Sequence, residues 1–308
     1  MTKIINSYHP NFSGGIGDFL RGCIYLHQKC VELGYSFEID FKHHPINAYM
    51  YTDCKESYHI ASIIDVEKVS MSKNINSNWQ EENKRTIDTI LERAKGTVVV
   101  SSLFSEVLSD TSDSNIEYIK NFDIPQESKD FIKNNIHFSD DIIATFNKTD
   151  YEVIHFRLGD RQTVKDLDKK FDELPSFVKN NYNFQKFDTS FDKCLQICYD
   201  RLKNIKSKEL IVMSDCNKLK KYIKDNSKDE KITIMHLNSS HTSKQPALIC
   251  MTKFSSSIKS NDMFYTALDV YVLSNSCSNA SYSVYSWGSG FVCWITKVFD
   301  IPLILEHI

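Results

Sequence analysis

The chain has 308 residues, of which 41% are apolar, and its formal net charge is −3. These values are typical of a soluble globular protein with one large or two medium-sized domains, and they exclude a general attraction to nucleic acid or to an anionic membrane. The nine cysteines form no C-x-x-C pair, which argues against a disulfide framework and against a structural zinc site. We therefore expect reduced thiols.

The sequence shows no secretion signal and no membrane span. Its first residues lack a basic stretch followed by an apolar one. The most apolar segment, residues 290–305, is interrupted by Lys297, Asp300 and Pro302, so it is too short to cross a bilayer. We expect a cytoplasmic protein with no nucleic-acid partner.

Strand and helix patterns alternate along the chain. A strand begins at residues 4–5, the turn SGGIGD follows at 13–18, and residues 19–33 have helical spacing. Further strands are predicted at residues 35–41, 97–103, 151–156, 209–213, 232–236 and 272–274. Further helices are predicted at residues 80–95, 128–146, 187–203, 217–225, 261–272 and 284–298.

This repeated order of strand, loop and helix predicts an α/β fold with parallel sheets. A break near residue 150 divides the chain into two Rossmann-like domains, residues 1–150 and residues 151–308, with a cleft between them. Ligands of such sheets bind at the carboxyl ends of the strands. Three polar segments, HFRLGD, SDC and SNSCSNASYS, fall at predicted strand ends.

The segment HFRLGD contains His155, Arg157 and Asp160. His155 and Arg157 lie on the same face of a strand, and an arginine fork is suited to bidentate contact with phosphate. The segment therefore indicates an anion site at a strand end. The alternative is a surface ion pair between Arg157 and Asp160, next to a histidine whose hydrogen bonds are satisfied.

The turn SGGIGD contains Gly14, Gly15 and Gly17 between a strand and a helix, where backbone can approach a ligand closely. Asp18 in the same turn would repel a phosphate, so a role in shaping the cleft is favoured over direct phosphate binding. The alternative is a tight turn in which Asp18 lies near the helix N-cap.

Residues 274–283 are interpreted as a polar loop before the last helix, rich in hydroxyl and amide groups that can bind phosphate oxygens. A plain polar loop with an N-cap serine explains the segment equally well. Asp215 follows a predicted strand and could accept from a base or a ribose hydroxyl, or could cap the next helix.

The triplet Asp166-Leu167-Asp168 could hold a divalent ion through its carboxylates. It lies in the charged run VKDLDKKFDE, where a solvated helix face is the better explanation. We predict no metal site.

In this order, the segments resemble the fucosyltransferase superfamily of GT-B fold, which includes α-1,2-, α-1,6- and protein O-fucosyltransferases. HFRLGD is most similar to the α-1,2 form of its His-x-Arg motif. SGGIGD is similar to its Gly-Gly-Leu-Gly-Asn segment, with Asp18 in place of Asn, and SNASYSVYSW to its Ser-Ser-Phe-Ser-x-Trp segment, with Tyr282 in place of Phe. Most of residues 40–150 lie outside the resemblance.

The resemblance implies a GT-B fold and an inverting, metal-independent transfer of fucose from GDP-fucose to a hydroxyl group of a glycan, without a cofactor. The N-terminal domain would bind the acceptor, and the last helix could return to pack on that domain. Arg157 would bind the β-phosphate, and either Asp160 or Asp18 would take the acceptor proton. The expected donor-binding residues are His155, Arg157, Gly14, Gly15, Gly17, Asp215, Ser281, Tyr282 and Ser283.

Other functions are also compatible with these segments. The same fold could use another nucleotide sugar, or the chain could bind a nucleotide or sugar without catalysis. A Rossmann-type oxidoreductase is disfavoured because no G-x-G-x-x-G follows a strand. A heptosyltransferase-like interpretation of GGIGDFLRG leaves HFRLGD without a role.

Overall fold

The computed structural model describes residues 1–9, 15–73, 79–104, 120–158, 191–236, 260–284 and 289–308. Its strands are β1 Lys3–Ser7, β2 Ser36–Asp40, β3 Met50–Thr52, β4 Ile64–Asp65, β5 Thr97–Ser101, β6 Ile136–Phe138, β7 Tyr151–Arg157, β8 Glu209–Ser214, β9 Ile232–Ile234, β10 Ser278–Ser283 and β11 Leu303–His307. Its helices are α1 Ile16–Leu33, α2 Val66–Lys73, α3 Trp79–Arg93, α4 Gln126–Asn135, α5 Asp140–Thr145, α6 Phe191–Leu202, α7 Asn217–Asn226, α8 Ser260–Ser274 and α9 Gly290–Val298.

Two parallel sheets organise the chain, as the repeated strand–helix pattern predicts. The first has the strand order β2-β1-β5-β4, and the second has the order β11-β10-β7-β8-β9. The short strands β3 and β6 form a separate antiparallel pair. The fold is therefore α/β with two parallel sheets, and the α/β prediction is confirmed.

Strand β7 is the centre of the second sheet, and its side chains alternate between two covered faces. Ile154 and Phe156 point to the face where α6 and α7 pack, in a cluster with Val212 and Tyr282. Val153 belongs to the core on the other face, which α8 and α9 complete. Because both faces are covered, all of β7 except Arg157 is buried.

Helices α1 and α9 pack against each other, next to the carboxyl ends of the strands in the two sheets. A Cβ atom placed on Gly17 would lie 2.6 Å from the carbonyl oxygen of Gly290, so the first turns of α1 and α9 touch through their backbones. Helix α1 follows β1, and α9 follows β10. The carboxyl ends of β1 and β10 are therefore directed toward one region between the sheets.

Three predictions of secondary structure are wrong. The helix expected over residues 128–146 is two helices, α4 and α5, separated by β6, because Ile136–Phe138 pairs with β3 and Ile136 enters the core. The strand expected at residues 272–274 is the end of α8, and the polar loop expected over 274–283 contains β10. That strand can be polar and buried because Asn279 donates to Thr296 Oγ1 (2.9 Å) and to the Leu273 carbonyl (3.1 Å).

The sequence patterns also left some elements unassigned. Strands β3, β4, β6 and β11 are short or lie at sheet edges, and segments of that length show little hydrophobic periodicity. The helix predicted over residues 284–298 begins at Gly290, and residues 285–288 lie outside the described part of the chain. None of the described helices is both long and apolar enough to cross a membrane.

Substitution of Gly22 by Ala should destabilise the protein, although Ala is normally the better helix former. A Cβ atom at this position would overlap the Ser102 carbonyl oxygen, which is held by the Asn6 amide at 3.1 Å. We expect Gly22→Ala to lower the free energy of unfolding by about 1–3 kcal/mol in urea titrations. Gln28→Ala on the same helix is the control, and an equal or smaller loss in Gly22→Ala would contradict this packing.

Candidate functional site

The end of β7 gathers polar side chains from two adjacent strands. His155 pairs in register with Ser281 of β10, and Arg157 pairs with Ser283. Residues paired in register on neighbouring parallel strands point to the same face and lie about 4.8 Å apart. His155, Arg157, Ser281 and Ser283 therefore form one polar patch on the face that α8 and α9 cover.

Arg157 is held by Asp215, which follows β8. One guanidinium nitrogen contacts Asp215 Oδ2, and Asp215 Oδ1 accepts a hydrogen bond from the Leu158 backbone N–H at 2.9 Å. Asp215 does not cap α7, because the N-cap of that helix is Cys216. The Arg157 side chain is 24% exposed, so it is partly open to solvent at the end of β7.

Several buried polar atoms beside this pair have no hydrogen-bond partner among the described residues. They are His155 Nδ1, Ser281 Oγ and His236 Nδ1. Buried polar atoms in folded proteins are normally paired, and each exception needs an explanation. Their concentration beside Arg157 indicates a place where a polar ligand or bound water supplies the missing bonds.

Burial lowers the pKa of His155 to about 4, and the nearby Asp215 carboxylate opposes that shift. His155 is therefore neutral at pH 7 and can donate one hydrogen bond and accept another. A neutral imidazole behind Arg157 leaves the guanidinium as the nearest positive charge for an anion.

Two charged residues of this site were not singled out by the sequence. Asp269 Oδ1 of α8 accepts a hydrogen bond from His236 Nε2 at 2.8 Å, and the charge of Asp269 acts on His155. Lys220 of α7 is only 2% exposed, and the charges of Asp269 and Asp215 both act on it. Lys220 is one of several lysines in α7, so no sequence signal separates it from solvated positions, whereas Asp269 is the lone charged residue in the apolar stretch 263–274.

The first sheet contributes the residues around the first turn of α1. The Gly15 backbone N–H donates to Asp18 Oδ2 at 3.4 Å, and Asp18 Oδ1 lies 3.7 Å from Arg21. Asp18 therefore caps its own helix. A Cβ atom on Gly290 would lie 3.4 Å from Asp18 Oδ1, which places this carboxylate beside the start of α9.

Glu67, at the start of α2, is a second carboxyl group on this side. Its Oε1 accepts from the Leu103 N–H at 2.9 Å, and Oε2 is buried without a partner among the described residues. Burial raises the pKa of Glu67 to about 7, so at neutral pH this carboxyl group can both release and accept a proton.

A cavity of about 580 Å³ lies between α5, α8 and the segment before β3. Its wall combines aromatic rings with a carboxylate and consists of Tyr49, Asp141, Ala144, Thr145, Phe264 and Tyr265. The Tyr265 ring lies 4.6 Å from the His236 ring, which in turn contacts Asp269. The cavity therefore borders the His236–Asp269 pair.

The structure brings some of the expected site residues together and separates others. Tyr282 points away from Ser281 and Ser283 and stacks on Phe156, 5.7 Å between ring centroids, in the core under α6 and α7. Its side chain is therefore not part of the polar patch. Four expected or considered residues lie outside the described part of the chain: Gly14, Asp160, Asp166 and Asp168. Among the residues that are described, no group of three potential ligands could hold a metal ion.

No protein-family model matches the chain, and neither does any curated protein. Solved structures do match. A NodZ alpha-1,6-fucosyltransferase soaked with GDP-fucose has a TM-score of 0.50 and 9% identity, over 98% of this chain and 94% of that one. The fucosyltransferase NodZ from Bradyrhizobium has a TM-score of 0.48 and 11% identity, over 96% and 92%. POFUT1 in its apo form has a TM-score of 0.35 and 9% identity, over 99% and 74%.

The chain has the fold of the GT-B fucosyltransferases. The alignment covers 98% of the chain, and it therefore includes most of residues 40–150, which lie outside the sequence resemblance. Identity is so low that only the arrangement of helices and strands is shared, and the residues of the site have to be judged by their own geometry. Ligands of parallel α/β sheets bind at the carboxyl ends of the strands, and the polar patch of β7 lies at that edge of the second sheet.

The buried neutral state of His155 predicts a specific loss of stability in acid. Because its folded pKa is below its unfolded value, the unfolded chain takes up a proton first as the pH falls from about 6.5 toward 4. Between pH 7 and pH 5, we expect the free energy of unfolding of wild type to fall further than that of His155→Asn, by up to roughly 2 kcal/mol.

Urea titrations at the two pH values measure this difference. His9 and His27, whose pKa values burial also lowers, are present in both proteins, so their contributions cancel. Equal losses in wild type and variant would show that His155 is not held neutral by burial.

Proposed function

We propose that the chain is an inverting glycosyltransferase that transfers fucose from GDP-fucose to a hydroxyl group of a glycan, without a metal ion. The observation that carries the proposal is the Arg157 guanidinium, anchored by Asp215 and partly exposed at the carboxyl end of β7. Residues 151–308 would form the donor domain and residues 1–150 the acceptor domain.

Arg157 would bind the diphosphate of the donor. In the transfer, the bond between the sugar carbon C1 and the β-phosphate oxygen breaks, and negative charge grows on the departing GDP. An oriented guanidinium fork in a site with little water stabilises that charge without a metal ion. Ser283, its register partner on β10, would add a hydroxyl group at the same strand end.

His155 and Ser281 lie two residues further back along their strands, about 6.6 Å from that end. Their unpartnered atoms would support the donor through direct bonds or through bound water. Asp215 would hold the arginine in position and lie toward the nucleoside. Gly14, Gly15 and Gly17 would let the start of α1 approach the donor from the other sheet.

The acceptor hydroxyl attacks C1 from the side opposite the diphosphate, and its proton passes to a carboxylate. Asp18 and Asp160 are the two candidates for this base. Asp18 fits in position, because it lies beside the first turn of α9 where the two sheets approach each other.

The donor half of the proposal is tested by nucleotide binding. We expect GDP, and not UDP, ADP or dTDP, to raise the melting temperature of wild type, because a ligand at about 100 times its Kd adds roughly 2.7 kcal/mol of stability. Arg157→Ala and Arg157→Lys should both lose this effect, since lysine retains the charge but not the planar fork.

Arg201→Ala is the matched control. Arg201 pairs with Glu152 at the opposite end of the same strand, 2.6 Å between the charged atoms, so this variant also loses a partly buried ion pair. It should retain the response to GDP. A rise in melting temperature with another nucleotide instead of GDP would indicate that the donor is a sugar attached to that nucleotide. GDP binding without turnover of GDP-fucose would favour a binding protein, and inhibition by chelator that Mn²⁺ reverses would point to Asp166 and Asp168.

The acceptor half rests on the cavity beside α8. Aromatic rings pack against the apolar faces of sugar rings, and carboxylates accept hydrogen bonds from sugar hydroxyls. Tyr49 and Phe264 supply the rings, with 5.3 Å between their centroids, and Asp141 supplies the carboxylate. We place a sugar ring of the acceptor in this cavity.

Asp141→Ala should raise the KM for a glycan acceptor found by screening, and leave GDP binding and the slow hydrolysis of GDP-fucose unchanged. Asp140→Ala is the control, because Asp140 belongs to the same first turn of α5 and is not part of the cavity wall. Steady-state kinetics with both substrates separate the two effects. Equal KM values in the two variants would show that the acceptor does not bind in this cavity.

A further inference from the structure

The backbone of the two residues that follow β5 is bonded by side chains from three other elements. Asn6 of β1 accepts from the Ser102 N–H at 3.0 Å and donates to the Ser102 carbonyl at 3.1 Å. The Leu103 N–H donates to Glu67 Oε1 of α2 at 2.9 Å, and the Leu103 carbonyl accepts from Arg21 Nε of α1 at 3.1 Å. All four backbone polar groups of this segment therefore have a side-chain partner, which holds the segment in one place.

Arg21 is a buried arginine with no place in the function proposed so far. Its side chain is 7% exposed, and its Nη1 is buried without a hydrogen-bond partner among the described residues. Buried donors are normally paired, so an unpaired one in a buried guanidinium is not explained by stability. The remaining nitrogen, Nη2, lies 3.7 Å from Asp18 Oδ1. Arg21 therefore joins the Leu103 carbonyl to the carboxylate of Asp18.

Asp18 Oδ1, the oxygen nearest to Arg21, is also the oxygen that faces the second sheet. It would lie 3.4 Å from a Cβ atom placed on Gly290, at the start of α9. The other oxygen, Oδ2, accepts from the Gly15 N–H at 3.4 Å, which is a long hydrogen bond. The Asp18 side chain is 40% exposed, and the terminal torsion of an aspartate is loosely restricted on its own. A guanidinium that is itself fixed limits the directions in which this carboxylate can turn.

We propose that Arg21 is a positioning residue that holds Asp18 Oδ1 on the side of α9, where the acceptor hydroxyl gives up its proton. The inference rests on the proposed function, and it selects Asp18 rather than Asp160 as the base. Arg21 can act in this way because the Leu103 carbonyl fixes its guanidinium from the opposite side. Orientation is important for a base, since a misplacement of about 1 Å can cost on the order of 100-fold in rate.

The first experiment replaces Arg21 by lysine, which keeps the charge but has one nitrogen and cannot bond Leu103 and face Asp18 together. We expect Arg21→Lys to lower kcat for fucose transfer at least about tenfold, with the KM for GDP-fucose and the Kd of GDP within about twofold of wild type. Arg201→Lys is the matched control, because Arg201 is a partly buried arginine that holds Glu152. It should keep the wild-type kcat. Equal kcat values in the two variants overturn the proposal.

A second variant tests the route through Asp18. Asp18→Asn removes the base and should lower kcat on the order of 100-fold or more. In that background Arg21→Lys should change kcat by less than about twofold, because Arg21 acts only through the carboxylate. A further tenfold loss would indicate general damage to packing, and full activity of Asp18→Asn would make another residue the base. Either of those results overturns the proposal, whereas absence of transfer by wild type contradicts the proposed function.

The hold of Arg21 on Asp18 can also be measured without any substrate. Glu82 and Arg85 of α3 form a pair with the same sequence spacing and nearly the same separation, 3.8 Å, but Arg85 is 71% exposed. Double-mutant cycles in urea should give a larger coupling for Asp18 and Arg21 than for this exposed pair, since a fixed guanidinium loses little further side-chain entropy. Equal couplings would show that Arg21 does not hold Asp18, whether or not wild type transfers fucose.

Discussion

The ion pair between Arg157 and Asp215 is the interaction on which the arrangement of the site depends. It joins the ends of β7 and β8, and the Leu158 N–H fixes the same carboxylate at 2.9 Å, so the guanidinium has one orientation at the sheet edge. A surface pair between flexible side chains contributes little. This pair is different, because both side chains are mostly buried and a backbone N–H binds the second oxygen of the carboxylate. It presents a positive charge whose position is set by two strands.

The polar residues behind that pair would weaken an ordinary protein core. His155, Ser281 and His236 each have a buried atom without a partner in the described residues, and Lys220 is only 2% exposed. The surrounding fold tolerates them because both faces of the second sheet are covered by helices and the apolar clusters are extensive. Polar groups that cost stability are most often retained where they contact a ligand, which is how we interpret this cluster.

The two sheets are held in relation to each other by the contact of α1 with α9. Glycine at position 17 lets the two backbones touch, and the same contact brings Asp18 from the first sheet beside the start of α9 in the second. A GT-B transferase needs groups from both sheets at one place, since the donor and the acceptor approach from opposite sides. Gly17 of the SGGIGD turn therefore acts through the close packing of α1 against α9.

The sequence by itself determined the alternation of strands and helices, the parallel sheets and the polar end of β7, because hydrophobic periodicity and the chemistry of arginine are local properties of the chain. It also identified His155, Arg157, Asp215, Ser281 and Ser283, which the fold brings onto one edge. Only the tertiary structure decided that residues 278–283 form a strand, that Tyr282 faces the core, and that Arg157 pairs with Asp215. The same is true of Asp269, Lys220 and Glu67, because partners far apart in the chain set whether a polar residue is solvated or buried.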